Sequence, residues 1–267
     1  MSGAGFRVAL VTGAARGIGA AVVHRLAADG WRVVAVDACA GTDVEPVVGY
    51  PLATRDELDA VVAAHPDTVR PMVADVRDQP AMLHAVRLAE EEFGGLDAAV
   101  AAAAVMIGGR PLWEVADAEW DTIYQVGLRG VLHLARAAVP ALLARPEPRS
   151  GRFVALTSAA AHRGLWHLAP YCAVKHGVLG LVRGLAADLR GTGVSATAVS
   201  PGSTDTAMLA ATAEVYGLDS PERFAGQQLV ERLLSADEVA ASVCWLCSAE
   251  SSAVMGTVVH ADGGFVG

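Results

Sequence analysis

The chain has 267 residues and a mass of 27.4 kDa, with a formal net charge of -9 and a pI near 5.3. This acidic balance argues against nucleic acid or an anionic membrane surface as a partner. Hydrophobic residues make up 53% of the chain and aromatic residues only 5%, which indicates a core built mainly from alanine, valine and leucine.

The sequence shows no sign of export or of a membrane span. No positively charged leader precedes an apolar run at the start, and the longest apolar run, 98–107, falls short of the ~20 residues that a span needs. We therefore expect a soluble, cytoplasmic protein. Cys244 and Cys247 form a CxxC in an apolar helical stretch, where packing is favoured over metal or redox chemistry, and no metal site is predicted.

Strand and helix signals alternate along the chain. Seven short apolar runs predict strands at residues 6–11, 32–36, 69–74, 97–101, 153–156, 194–199 and 258–261. Helical spacing predicts helices at residues 18–28, 80–93, 117–143, 171–189 and 237–246. Apolar strands alternating with helices indicate a parallel sheet covered on both faces, in one domain over residues 1–267.

Two connections are longer than this alternation requires. The first, an insertion at residues 38–70, carries its own helix signal, in which Glu57 follows Thr54 by three residues. The second, residues 203–235, follows Pro201 and Gly202. Connections of this length in a small domain are usually lids or binding loops.

A glycine-rich turn joins the first strand to the first helix. Its glycines let the backbone approach a pyrophosphate, and the helix start presents free N–H groups to it. The spacing, Gly-x-x-x-Gly-x-Gly, differs from the commoner GxGxxG, and an ordinary turn is the alternative. The turn residues predicted to bind the nucleotide are Gly13, Arg16, Gly17, Ile18 and Gly19.

Asp37 ends the second strand, where a carboxylate hydrogen-bonds the adenosine ribose and repels a 2′-phosphate. This favours NAD over NADP, although Arg16 offers a positive charge that suits a 2′-phosphate. Capping of a loop is the alternative role for Asp37. Asp75 and Val76, just past the third strand, are placed to border the adenine; an N-terminal cap on the next helix is the alternative for Asp75.

The chain contains a single lysine, Lys175, and no asparagine, and Lys175 follows Tyr171 by one helical turn. A compact ammonium beside a phenol differs from a guanidinium, and this pair suits hydride transfer at an alcohol carbon with a proton moved at its oxygen. The pKa of a free tyrosine is near 10, so we expect Lys175 and a positive nicotinamide to lower it. Ser158 would hold the substrate oxygen at Tyr171.

Together these motifs resemble the short-chain dehydrogenase/reductase family over essentially the whole chain. The resemblance implies a Rossmann-like three-layer α/β fold with a doubly wound, mostly parallel seven-stranded sheet, NAD as cofactor, and an alcohol or ketone as substrate. It implies Tyr171 as general acid/base, Ser158 as the residue that orients the oxygen, and Lys175 as acidifier and ribose ligand. It further implies a homotetramer, and nucleotide contacts from Ala102, Pro201, Gly202, Thr204 and Thr206.

The insertion narrows the resemblance. Residues 38–70, with the run Tyr50 to Thr54, look like the insertion of the mycofactocin-associated subgroup. In that subgroup the insertion covers an NAD that does not exchange freely, and electrons pass to a peptide-derived redox carrier. We expect the capped helix to close over the adenosine end of the nucleotide.

Two positions depart from the family pattern. The motif after the fourth strand, usually Asn-Ala-Gly, reads Ala102 to Ala104, and Gly127 stands where a catalytic asparagine is expected. The absence of asparagine from the whole chain offers a compositional reason for both changes. We hypothesise that the Gly127 carbonyl, with a water in the vacated space, maintains the proton relay to Lys175.

The substrate side is expected to be largely apolar, because five large apolar residues lie on segments near the cleft: Trp113, Leu165, Trp166, Met208 and Leu209. His162, Arg163 and His167 accompany them; roles in shaping the loop or facing solvent are favoured over substrate contact. A non-catalytic dinucleotide-binding or regulatory protein is the alternative to an enzyme. The sequence does not name the substrate, the direction of reaction, or whether NAD exchanges.

Overall fold

The structure is a computed structural model that describes residues 5–43 and 47–266. The ends of the predicted domain and residues 44–46 of the predicted insertion lie outside the described residues. The strands are β1 Val8–Thr12, β2 Arg32–Asp37, β3 Val69–Val73, β4 Ala98–Ala101, β5 Arg152–Leu156, β6 Ser195–Pro201 and β7 Val258–Ala261. The helices are α1 Gly17–Ala28, α2 Arg55–Ala63, α3 Gln79–Phe93, α4 Asp117–Tyr124, α5 Gly130–Ala144, α6 Ala169–Asp188, α7 Ala207–Val215 and α8 Ala236–Cys247.

The seven strands form one parallel sheet in the order β3-β2-β1-β4-β5-β6-β7. The chain runs outward from β1 to β3, then returns to place β4 on the other side of β1. The order therefore reverses between β1 and β4, and ligands of such sheets bind in the crevice outside the carboxyl ends of the strands at this point. The predicted doubly wound, Rossmann-like fold is confirmed.

Helices cover both faces of the sheet. α3, α5 and α6 pack on one face around Phe153 and Leu134, and α1, α2 and α8 pack on the other around Leu26 and Leu246. Cys244 and Cys247 lie in this second cluster, both buried. The edge strands differ from the prediction of two buried faces, because β3 and β7 are only partly covered.

Local capping sets where several helices begin. Thr54 and Glu57 form the predicted capping box of α2, and Ser235 and Glu238 form that of α8. The predicted helix over 117–143 is Asp117–Ala144, which contains a π-helical turn at Gln125–Arg129. By length and composition this helix could cross a membrane, but 56% of its apolar window is buried inside the protein, as in the core helix of a soluble domain.

Both long connections contain regular structure. The insertion holds α2, and the connection over 203–235 holds α7 and a 3₁₀ helix, Pro221–Gln227. A β-bridge between Thr204 and Leu234 closes the base of the second connection. The 203–235 connection thus returns beside the point where it left the sheet, whereas the insertion crosses from the carboxyl end of β2 to the start of the parallel strand β3.

Candidate active site

A cavity of about 390 Å³ opens at the carboxyl edge of the sheet, beside the β1/β4 reversal. The structure brings every residue predicted for catalysis or nucleotide binding to its walls: Gly13, Arg16, Gly17, Ile18, Gly19, Asp37, Asp75, Val76, Ala102, Ser158, Tyr171, Lys175, Pro201, Gly202, Thr204 and Thr206. These residues come from six of the seven strand ends and from the connections that follow them. Their roles remain predictions, and the local geometry shows which groups each of them contacts.

The glycine-rich turn has backbone geometry that side chains would block. Gly13 has a φ of 68°, and a Cβ there would lie 2.8 Å from the Ala103 backbone. A Cβ on Gly19 would lie 2.0 Å from the Gly13 carbonyl oxygen. α1 begins after Arg16 without a side-chain cap and has no acidic residue in its first turn. The first N–H groups of α1 are therefore left for an anion in the cavity.

The backbone N–H groups of the turn after β4 find their hydrogen-bond acceptor on Thr12 of β1. The hydroxyl of Thr12 accepts hydrogen bonds from the N–H groups of Ala102 and Ala103, at 3.2 and 3.4 Å, and donates to the Val100 carbonyl at 3.4 Å. No side chain from Ala102 to Ala104 takes part in these bonds. The three alanines that replace the usual family motif thus leave the backbone of this turn supported.

Asp37 and Arg16 point in different directions. The Asp37 carboxylate accepts hydrogen bonds from the N–H groups of Ala15 and Cys39, at 3.1 and 3.0 Å. The Arg16 guanidinium instead donates to the Pro51 carbonyl, at 2.8 Å, and so ties the turn to the insertion. Both residues line the cavity, where the Asp37 carboxylate is bonded to the turn and its own loop and the Arg16 guanidinium to the insertion.

Asp75 is not the cap of the next helix. Its carboxylate accepts from the Arg77 N–H at 2.8 Å and pairs with the Arg77 guanidinium at 2.7 Å. The cap of α3 is Asp78, which accepts from the Ala81 N–H at 3.2 Å. The capping alternative for Asp75 was therefore wrong, and Asp75 and Val76 both stand on the cavity wall.

Ser158, Tyr171 and Lys175 meet where β5 faces α6. The Ser158 and Tyr171 side chains are hydrogen-bonded to each other, and Ser158 Oγ also accepts from the Ala160 N–H at 3.2 Å. Lys175 Nζ lies 5.6 Å from the centroid of the Tyr171 ring and donates to the Leu156 carbonyl at 3.0 Å. Thr157 Oγ1 donates to the Lys175 carbonyl at 3.0 Å, which fixes α6 against the end of β5.

Burial shifts the pKa values of both titratable groups of this site. Burial raises the pKa of Tyr171 to about 12, and the hydrogen bond to Ser158 only partly opposes this rise. Burial also lowers the pKa of Lys175 to about 8. Both shifts favour the neutral form, because both groups are removed from water. The lowering of the Tyr171 pKa by Lys175 together with a bound nicotinamide stays a prediction.

Gly127 lies in the π-helical turn, close to the Val174 side chain. A Cβ there would lie 2.7 Å from Cγ1 of Val174, so the Val174 side chain fills the place of a larger residue. The Val174 methyl group narrows the space at the Gly127 α-carbon, and the relay through the Gly127 carbonyl and a water stays a prediction. The ammonium of Lys175 reaches the Leu156 carbonyl.

The substrate side is only partly as predicted. Leu165, Met208 and Leu209 line the cavity, but Trp113 and Trp166 do not and are 84% and 69% exposed. His167 stacks on Trp166 with ring centroids 3.5 Å apart, and His162 packs against His260 at 4.6 Å. Arg163 donates to the Phe265 carbonyl at 2.8 Å. These three residues shape loops, as favoured.

Tyr50, Gln227 and Phe265 are among the cavity residues that the sequence analysis missed. Tyr50, from the insertion, accepts the Met106 N–H at 3.0 Å and packs with Tyr171. Phe265 and Gln227 also line the cavity. Tyr50 stood in a run already noted for the insertion, but no sequence signal showed that it reaches past the nucleotide end to the catalytic end.

Comparisons with known proteins find relatives over most of the chain. A family model described as enoyl-(acyl carrier protein) reductase matches residues 13–266. An uncharacterized oxidoreductase of Mycobacterium tuberculosis (strain CDC 1551 / Oshkosh) is 36% identical over 275 residues, which cover 97% of this chain and 96% of that protein. A (-)-trans-carveol dehydrogenase of Rhodococcus erythropolis is 36% identical over 206 residues, 76% of this chain and 73% of that protein.

Solved structures of the same fold cover nearly the whole chain. Carveol dehydrogenase from Mycobacterium avium, in complex with NAD, superposes with a TM-score of 0.90 at 30% identity, covering 98% of each chain. A mutant actinorhodin polyketide ketoreductase with NADPH superposes with a TM-score of 0.85 at 29% identity, covering 98% of this chain and 97% of that one.

The chain therefore belongs to the short-chain dehydrogenase/reductase family, and it is an oxidoreductase. This confirms the family resemblance drawn from its motifs. Within the family, it is similar over most of its length to proteins named carveol dehydrogenase.

Proposed function

We propose that this enzyme interconverts a largely apolar alcohol and its carbonyl compound, using NAD, with Tyr171 as the general acid/base. The observation that carries the proposal is the meeting of Ser158, Tyr171 and Lys175 in one cavity with the uncapped start of α1. The first group suits proton transfer at a substrate oxygen, and the second suits a nucleotide pyrophosphate.

The residues present fit a dinucleotide. The Gly13 and Gly19 positions have no room for a Cβ, so the turn needs glycine there and keeps its backbone open to the cavity. The Asp37 carboxylate suits ribose hydroxyls and disfavours a 2′-phosphate, which supports NAD over NADP. The engagement of Arg16 with Pro51 supports the same choice, because the competing positive charge is directed at the insertion.

NAD and the side chains of the protein would perform different parts of the reaction. When bound, NAD supplies a hydride acceptor for the alcohol carbon. Ser158 donates to or accepts from the substrate oxygen and holds it at the Tyr171 hydroxyl. Tyr171 takes the proton from that oxygen during oxidation and returns it during reduction. A positive charge beside the phenol favours the phenolate, so we expect the Tyr171 pKa of about 12 to fall in the NAD complex.

The insertion supports a second part of the proposal, that NAD exchanges slowly and is reoxidised by the mycofactocin carrier. Residues 50 and 51 are attached at both ends of the cavity, through Arg16 at the turn and Met106 near Tyr171. We call residues 50 and 51 the strap. A nucleotide held beneath the strap would have to break both contacts in order to leave. Slow exchange makes electron transfer to a separate carrier the simpler way to regenerate the cofactor.

The assembly and location proposed for the enzyme are a cytoplasmic homotetramer. The outer surface of α4 supports self-association, because Trp120 and Tyr124 are 39% and 38% exposed there. Light scattering of the purified protein measures the assembly, and a monomer at micromolar concentration would contradict the tetramer.

The test is a panel of neutral alcohols offered to the purified protein, with and without added NAD and a redox dye. We expect reduced nicotinamide within one turnover, and sustained turnover with dye. Tyr171→Phe should lower the rate by about 10²–10⁴-fold, while Tyr124→Phe, a change on the outer surface of α4, should not. Mass spectrometry of the nucleotide released on denaturation distinguishes NAD from NADP. A Tyr171→Phe variant as fast as the parent would exclude this mechanism.

A further inference from the structure

The segment that follows β7, residues 262–266, returns over the cavity and pairs with the 203–235 connection. Leu229 donates to the Gly264 carbonyl at 3.0 Å, Val230 to the Gly263 carbonyl at 3.1 Å, and Val266 to the Gln227 carbonyl at 2.8 Å. A Cβ on Gly264 would lie 2.8 Å from the Leu229 side chain, so the close pairing requires a glycine. The two segments therefore form one wall.

Phe265 is the residue of the 262–266 segment that lines the cavity. It is only 8% exposed, and its backbone pairs with Gln228. Gln228 is itself buried, and its amide donates to the carbonyls of Ser203 and Arg232 at 3.2 and 2.7 Å. The backbone at Phe265 is thus held by a buried residue of the connection that follows Gly202.

Arg163 holds Phe265 from the other side. It comes from the loop after Ser158, and its guanidinium donates to the Phe265 carbonyl at 2.8 Å. The same guanidinium lies 5.3 Å from the centroid of the Phe265 ring. A planar guanidinium can form the hydrogen bond and contact the ring face at once, which a lysine ammonium cannot match.

The position of this wall assigns it to the substrate side. Phe265 follows β7, at the sheet edge opposite to β2 and β3, which carry Asp37 and Asp75. Uncharged side chains from the 203–235 connection and from the loop after Ser158 line the same cavity: Leu165, Met208, Leu209, Tyr216 and Phe224. A ring in such a wall limits the bulk of a neutral substrate without offering it a charge.

We propose that Phe265 determines substrate size and that Arg163 positions it, an inference that rests on the alcohol dehydrogenase activity proposed above. The Phe265 ring then limits the size of the substituent that a neutral alcohol can have on the side facing residues 262–266. Arg163 acts through Phe265 and does not touch the substrate. The loop that carries Ser158 and the wall that selects the substrate are thereby joined by one side chain.

The experiment compares kcat/KM for cyclohexanol, carveol and a decalin alcohol. In Phe265→Ala we expect the ratio for decalin alcohol over cyclohexanol to rise by about tenfold or more, the range for small groups in an apolar pocket. Phe265→Leu should give a smaller rise and serves if the alanine variant fails to fold. The NAD dissociation constant, measured by fluorescence, should stay within about twofold of the parent.

Arg163→Met should shift the same ratio in the same direction by about threefold or more, and Arg163→Lys should not restore it. Arg25→Met is the matched control, because it removes an exposed guanidinium that pairs with Asp237. Parental ratios in folded Phe265→Leu and Arg163→Met variants would overturn the inference. If the parent oxidises none of the alcohols, the proposed function is contradicted instead. The size preference of parent and variants is then measured from the rise in melting temperature that each alcohol causes.

Discussion

A Cβ atom on Gly127 would lie 2.7 Å from Cγ1 of Val174, so the π-helical turn contacts α6 one residue before Lys175. Gly127→Ala should therefore overpack this contact and destabilise the protein by about 1–3 kcal/mol. Gly180→Ala, on α6, is the control: no described residue outside its own helix lies within 4 Å of its Cβ position, and the change should stabilise by roughly 0.5–1 kcal/mol. Urea denaturation measures both.

Replacing Gly127 with the family asparagine should not increase activity, because Val174 occupies the space. The double variant Gly127→Asn, Val174→Ala provides that space. A rise in activity in the single variant would show that α6 shifts easily and that steric exclusion is unimportant here.

The burial of Lys175 should make stability depend on pH. Its pKa is about 8 in the folded protein and near 10.5 in the unfolded chain. Between these values the unfolded chain binds more protons, so stability rises with pH. From about pH 7 to about pH 10, the parent should gain about 2–3 kcal/mol relative to Lys175→Met. Tyr171 acts in the opposite sense only above its ordinary pKa of 10. Parallel curves for parent and variant would contradict this cause.

Nucleotide choice should follow the charge of Asp37. Asp37→Asn keeps an oxygen to accept hydrogen bonds but removes the negative charge. NAD should bind more weakly and NADP more tightly, with the ratio of dissociation constants moving about tenfold. Asp56→Asn, an exposed change in the first turn of α2, is the control. Titration calorimetry measures the dissociation constants of NAD and NADP for the parent and both variants. An unchanged ratio in Asp37→Asn would show that Asp37 does not determine the nucleotide preference.

The strap at residues 50 and 51 should slow the release of NAD. Arg16→Met removes the bond to the Pro51 carbonyl, and a net loss of about 0.5–1.5 kcal/mol corresponds to release roughly 2–10 times faster. Arg55→Met is the control, because Arg55 pairs with Asp59 within the insertion and does not cross to the turn. Displacement of labelled nucleotide gives the rates, and equal rates in the two variants would contradict the strap.

Local sequence signals predicted the strands and helices well, because each has its own pattern of apolar residues and caps. The boundary of β5 moved by one residue, to Arg152, and the capping boxes of α2 and α8 are as expected. The cavity residues were also recoverable, because parallel strands place their carboxyl ends together.

What the sequence did not reveal depends on contacts between distant segments. The pairing of Gln228 with Phe265 and the bond from Arg16 to Pro51 have no local signature. The rise that burial alone gives the Tyr171 pKa has no local signature for a related reason: a nearby ammonium is visible in a helical spacing, but the loss of water around both groups is not.

The bonds made by Thr12 bear on how freely this enzyme can diverge. Its hydroxyl serves the N–H groups of residues 102 and 103 from a neighbouring strand. Substitutions at 102–104 therefore leave these hydrogen bonds intact, whereas a substitution at Thr12 that removes the hydroxyl breaks them. Because residues 102–104 line the cavity, a library limited to glycine, alanine and serine there should yield many active clones, and a library at Thr12 should yield few.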